Sequence, residues 1–137
     1  MRIFKRILLI GAVLSSALML NSCVLLLGAA AVGVGAGTVA YIQGTYTMNM
    51  DGSVVTVYNA AIKAVQDNDN LVMKMKTIKS SEGSISGTTK IDNTDFKVEV
   101  KKLTNNSSEV SIKFGVFGDR EASELLMKEI EKNANPK

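Results

Sequence analysis

Cys23 is the only cysteine in a chain of 137 residues that contains no histidine. Those two facts limit what the side chains can do. Without imidazole, the commonest general base and metal ligand at neutral pH is missing. A lone thiol cannot close an intramolecular disulfide. It is a free nucleophile, an intermolecular partner or a modified residue. Serines are plentiful, but none sits at the centre of a Gly-x-Ser-x-Gly turn that would present it as a nucleophile. Asp67-Asn68-Asp69-Asn70 starts like a calcium loop, yet Val72 and Ile78 stand where that loop needs Gly and a bidentate Glu. A helix-ending turn is the better reading. Gly115, Gly118 and Asp119 could form an anion nest at a helix start, but the charge of Asp119 would repel the anion, so a capped strand-to-helix turn is favoured. Met48, Met50, Met73, Met75 and Met127 are expected in the core, with a soft apolar groove as their other use. Lys63, Lys74, Lys76, Lys101 and Lys102 read as solvated faces. No catalytic residue, metal site or cofactor is expected, and the chain reads as a non-enzyme.

The cysteine gains meaning from what precedes it. Arg2, Lys5 and Arg6 form a basic start, and Ile7–Leu20 is an apolar run. Then come Leu20, Asn21, Ser22 and Cys23. This has the three parts of a secretory signal and resembles a bacterial lipobox. An aliphatic residue stands at −3, a small one at −1, and the cysteine becomes the new N-terminus. The thiol is required because its sulfur receives the diacylglyceryl group. Asn21 at −2 departs from the usual Ala, Ser or Thr. On this reading residues 1–22 are a signal peptide and Cys23 is the lipidation site. One acyl chain binds a membrane marginally, whereas two or more hold stably. Val24 follows, where Asp would be the usual inner-membrane retention signal in enteric bacteria. The expected location is therefore the cell envelope, at the outer membrane facing the periplasm.

Residues 23–42 are read as the anchor cysteine and an apolar, membrane-proximal segment. Val24–Ile42 carries no charge and is close to the roughly 20 residues a spanning helix needs. Ala29, Gly33 and Gly37 recur every four residues, a stripe through which helices could pack or the chain could form homo-oligomers. The other reading is an apolar tether, because each Gly costs a helix about 1 kcal/mol. The only charges in the first 42 residues are Arg2, Lys5 and Arg6. Without them, 13 basic side chains balance 13 acidic ones. The net charge of +3 thus belongs to the targeting segment and is no sign of nucleic-acid binding.

The remainder, residues 43–137, has the periodicities of one folded domain. Gln43–Met50 alternates as a strand. Asp51-Gly52-Ser53 offers a helix cap before Val54–Gln66, whose stripe is Val54, Val55, Tyr58, Ala61, Ile62 and Val65. Strands are expected over Leu71–Lys79 and Ser84–Ile91, around Phe96, Val98 and Val100, and over Val110–Val116. Asp119 caps a final helix with an apolar stripe of Ala122, Leu125, Leu126 and Ile130. The order β-α-β-β-β-β-α, with short links between strands, predicts an α+β fold. It is an antiparallel sheet of 4–5 strands with two helices on one face and a Lys-, Thr- and Ser-rich solvated face opposite.

The whole pattern resembles a family of small, uncharacterised Gram-negative lipoproteins grouped as a domain of unknown function. The features that carry the likeness are Cys23 with Leu25–Gly37, then Thr38-Val39-Ala40-Tyr41, and the run from Val110 to Asp119 with its Gly-Val-Phe-Gly-Asp turn. The resemblance implies an envelope location and this approximate fold, and brings no activity. The expected partners are the membrane, through the lipid, and an envelope protein or polymer. A small-molecule or lipid-binding role is the alternative.

Overall fold

The computed structural model describes residues 39–136. Within them lies a six-stranded, wholly antiparallel sheet backed by two helices, so the expected α+β class holds. The strands are β1 (Val39–Ile42), β2 (Thr45–Asp51), β3 (Leu71–Ile78), β4 (Glu82–Thr89), β5 (Asp95–Thr104) and β6 (Ser107–Phe114). The helices are α1 (Val54–Asp67) and α2 (Arg120–Ala134). Across the sheet the order is β1-β2-β6-β5-β4-β3. The chain leaves β2 in one half, crosses the core face as α1, and returns by three hairpins from the far edge.

The sheet has one strand more than the expected 4–5. Val39–Ile42, expected within the apolar segment, forms an edge strand, with Val39 opposite Met48 and Ile42 opposite Thr45. The two-residue turn Gln43-Gly44 has positive φ at both positions, 52° and 81°. Paired positive φ values at the two central residues mark the hairpin turn whose twist matches that of the strands. The expected strand from Gln43 is thus a turn followed by β2. The domain begins at least four residues earlier than the boundary at residue 43.

Alternation sorts the strands onto two faces. Tyr46, Met48, Met50, Ile85, Phe96, Val98, Val100, Val110, Ile112 and Phe114 are buried beneath the helices. Thr47, Ser84, Ser86, Lys97, Glu99, Ser111 and Lys113 form the opposite, partly solvated face. Helix α1 lies over β3 to β6, and α2 over β2 and β6. Ser53 caps α1, its Oγ accepting from the Thr56 N–H at 3.3 Å. Val54–Val57 is poorly suited to a helix by itself. Burial of Val54 and Val57 against the sheet offsets that preference.

Two stripes are displaced from their expected positions. Val55 is 56% exposed, while Ala60 and Ala64 are buried on α1. On α2 the core face is Ser123, Leu126, Met127 and Ile130, and Leu125 is 60% exposed. A β-bulge changes β3 as well. Met73 pairs with Gly87, but Met75 pairs with Ser86, so the extra residue turns Met75 out to 66% exposure. The five methionines therefore line no single groove: Met48, Met50 and Met127 are core, Met73 is partly buried, and Met75 faces solvent.

Candidate functional site

Antiparallel connections place the loops at two ends of the sheet. One end holds the turn Gln43-Gly44, the α1–β3 turn, the β4–β5 turn and the β6–α2 loop. The other holds the β2–α1 link, the β3–β4 turn and the β5–β6 turn. The two ends differ in composition. At the second end the hairpin turns are Ser80-Ser81 and Asn105-Asn106. That end also shows Val55, Ile78 and Leu103 at 38% to 56% exposure, but at the first end four large apolar side chains protrude further: Ile42, the last residue of β1, at 68%, and Ile91, Val116 and Phe117 in turns at 85%, 82% and 92%. Leu125 stands beside them on the first turns of α2.

Backbone contacts hold these residues on one surface. Gly118 has φ 82°, and a Cβ on it would strike the Gly44 carbonyl. A Cβ on Gly44 would strike the Phe117 carbonyl. The hairpin turn and the β6–α2 loop therefore touch backbone to backbone, which only glycine permits. Gly115, also at positive φ, donates its N–H to the Asp95 carbonyl at 2.7 Å and ties the loop to β5. Arg120 lies over the Tyr41 ring, 5.7 Å from its centroid, directly behind the apolar tip.

Next to the tip is a cleft of about 390 Å³. Leu71 and Phe114 contribute apolar lining, and the exposed Ile91 and Leu125 flank it. The Asn70 side-chain oxygen in the cleft lining is buried and has no hydrogen-bond partner. The β4–β5 turn supplies another wall. Asp92 accepts from the Thr89 hydroxyl and from the Thr94 N–H at 3.2 Å, and these bonds hold its carboxyl below the usual carboxylate range. Two further clefts, of about 290 and 470 Å³, lie on the polar sheet face and share Lys97, whose ammonium pairs with Glu99 at 2.7 Å.

The other candidate residues fall as follows. Asp67 ends α1 and pairs with Lys63 at 2.7 Å, which raises the Lys63 pKa, and the Asn68 side-chain oxygen accepts from the Asn70 N–H at 3.0 Å. Among the described residues no three potential ligands gather for a metal ion. Asp119 caps α2, its carboxylate accepting from the Ala122 N–H at 3.0 Å, so the helix start already holds an acid. Lys63, Lys74, Lys76, Lys101 and Lys102 are all exposed. Leu20, Asn21, Ser22 and Cys23 lie outside the described residues, as do Ala29, Gly33 and Gly37. Among the described residues no helix is long and apolar enough to cross a membrane. Sequence periodicity misses the apolar tip because Ile42 ends the apolar segment, Ile91 and Val116 end expected strands, and Phe117 falls within the Gly-Val-Phe-Gly-Asp turn. Their signal is apolar residues placed at turn positions that require none.

The class defined by these features is a two-layer α+β domain with an apolar tip at one loop end. It joins an N-terminal stretch that carries a lone cysteine. The chain belongs to the family described as a protein of unknown function, DUF3568, which it matches over residues 6–133. No curated protein matches it.

Proposed function

We propose that the chain is a bacterial envelope lipoprotein, anchored by acylated Cys23, whose folded domain has a non-catalytic structural or interaction role. The observation that carries this is the order of basic start, apolar run and Leu20-Asn21-Ser22-Cys23. The family match begins at residue 6 and so includes the apolar run and Leu20-Asn21-Ser22-Cys23. Val24 in place of Asp favours the outer membrane. The lack of histidine and of a Ser-centred turn motif weighs against catalysis. A mature chain beginning at acylated Cys23, read by intact mass from the membrane fraction, is the expected result. Cys23→Ala should lose the acyl mass and keep residues 1–22, because the acylated cysteine marks the point of cleavage. Cleavage after Ser22 unchanged in that variant would refute the lipoprotein reading.

The cleft beside Phe114 favours a second reading, a small apolar ligand with one hydrogen-bond donor directed at the Asn70 side-chain oxygen. Native mass spectra of the full-length protein should then carry a bound mass that Asn70→Leu removes.

A further inference from the structure

We infer that the loop end carrying Ile42, Ile91, Val116 and Phe117 rests against the bilayer to which the chain is anchored, so that the domain has a fixed face toward the lipid. The inference rests on the anchored-lipoprotein reading and adds an orientation to it. Three observations carry it. First, the most exposed apolar side chains gather at one end. The opposite end has the turns Ser80-Ser81 and Asn105-Asn106 and shows Val55, Ile78 and Leu103 at 38% to 56% exposure, whereas this end projects two isoleucines, a valine and a phenylalanine at 68% to 92%. Single exposed hydrophobes are ordinary, but several gathered at one end mark a contact surface. Second, the residues just behind the tip suit a headgroup layer. Arg120 is stacked on Tyr41, and an arginine and an aromatic ring with an apolar body and polar edge settle at that depth.

Third, the length of chain to the anchor selects the occupant. Only residues 24–38 separate Cys23 from the first residue of β1, a span of at most about 58 Å even if fully extended. Those residues carry no charge and would leave the bilayer reluctantly. The domain is thus confined close to a lipid surface, which a short tether holds at a high effective concentration. Strand β1 is only four residues long, so its far end, Ile42, is about 10 Å beyond its entry at Val39, well within reach of the same surface.

The chain has no tryptophan, so one substitution installs a unique reporter. Full-length Phe117→Trp and Val55→Trp proteins would be placed in phosphatidylcholine vesicles with and without bromine on the acyl chains. Val55 is exposed beside Ser80 and Asn105 at the opposite end. The expected result is blue-shifted Phe117→Trp emission, quenched by brominated lipid and protected severalfold from aqueous iodide, with Val55→Trp remaining iodide-accessible. Intact mass on the same sample reports acylation at Cys23. Acylated protein whose Phe117→Trp stays open to iodide overturns the orientation and leaves the anchor standing. Protection from iodide without quenching by brominated lipid, with crosslinked dimer, assigns the end to a second copy and also overturns it. Loss of both acylation and lipid quenching overturns the anchor and the orientation together.

Discussion

The contact between Gly44 and Gly118 makes a prediction whose size follows from the geometry. In Gly118→Ala two costs add. A residue with a Cβ held at φ 82° pays about 1–2 kcal/mol for the left-handed conformation. Its methyl would also overlap the Gly44 carbonyl, and forcing extra atoms into a packed contact costs about 1–3 kcal/mol. The sum is about 2–5 kcal/mol, and at about 4–8 °C per kcal/mol for a domain near 100 residues the melting point should fall by at least about 8 °C. Gly44→Ala, at φ 81° and facing the Phe117 carbonyl, should behave alike. Gly115→Ala is the control. It has φ 67°, but its new methyl would meet only the Thr94 methyl at 3.3 Å, so the conformational cost of about 1–2 kcal/mol stands nearly alone. The loss of unfolded-state freedom is common to the three variants and cancels in the comparison. Urea unfolding of the full-length proteins in mild detergent, followed by circular dichroism, measures the difference. If Gly118→Ala costs no more than Gly115→Ala, the hairpin turn and the β6–α2 loop do not touch, and the apolar tip loses its support.

The register of α2 can be read with the same assay. Ile130→Ala, at 0% exposure, should cost about 2–5 kcal/mol, while Leu125→Ala should stay within about 0.5 kcal/mol; equal costs would refute the register. The lowered pKa of Asp92 comes first from the Thr89 hydroxyl and then from Thr94. A folded-state pKa below the unfolded value contributes stability above the unfolded pKa, and this is lost as pH falls through the folded pKa. Asp92→Asn should therefore be less stable than the native chain at pH 7, with the gap narrowing below pH 3.8, the ordinary value for this group. A gap of constant size across that range would show that ionisation of Asp92 contributes nothing.

Much of the domain was legible because the core is built from regular periods. Phe96, Val98 and Val100 alternate with Lys97 and Glu99, and that alternation survives as the buried and open faces of β5. Ser53 and Asp119 could be read as caps because a hydroxyl or carboxylate before a helical stripe has one cheap use, accepting from the first free N–H groups. Strand β1 was not legible. Its four residues continue the apolar run before them, and its turn is Gln-Gly rather than the Asn-Gly that announces such a hairpin. The exposed Met75 was hidden by a bulge, which changes the face of every later residue without changing composition. Leu125 and Met127 lie on either side of Leu126, so hydrophobicity alone could not choose the core member; packing against the sheet favours Met127.

Val116 and Phe117 test whether the apolar tip is separate from folding. The β6–α2 loop needs Gly115 and Gly118 for its positive φ values and Asp119 for the cap. It makes no such demand of the two residues between them, which are 82% and 92% exposed. Removing a side chain that is already in water forfeits little burial, so Val116→Ser with Phe117→Ser should change the urea midpoint by no more than about 0.5 kcal/mol in free energy. That double variant should still be retained by an acylated Cys23. It should nevertheless expose the loop end at a bilayer, seen as faster proteolysis after Arg120 in vesicles and unchanged proteolysis in detergent. A large loss of stability would mean that the two side chains pack against the domain. Their apolar character would then serve the fold, and the asymmetry between the two loop ends would carry no information about a surface.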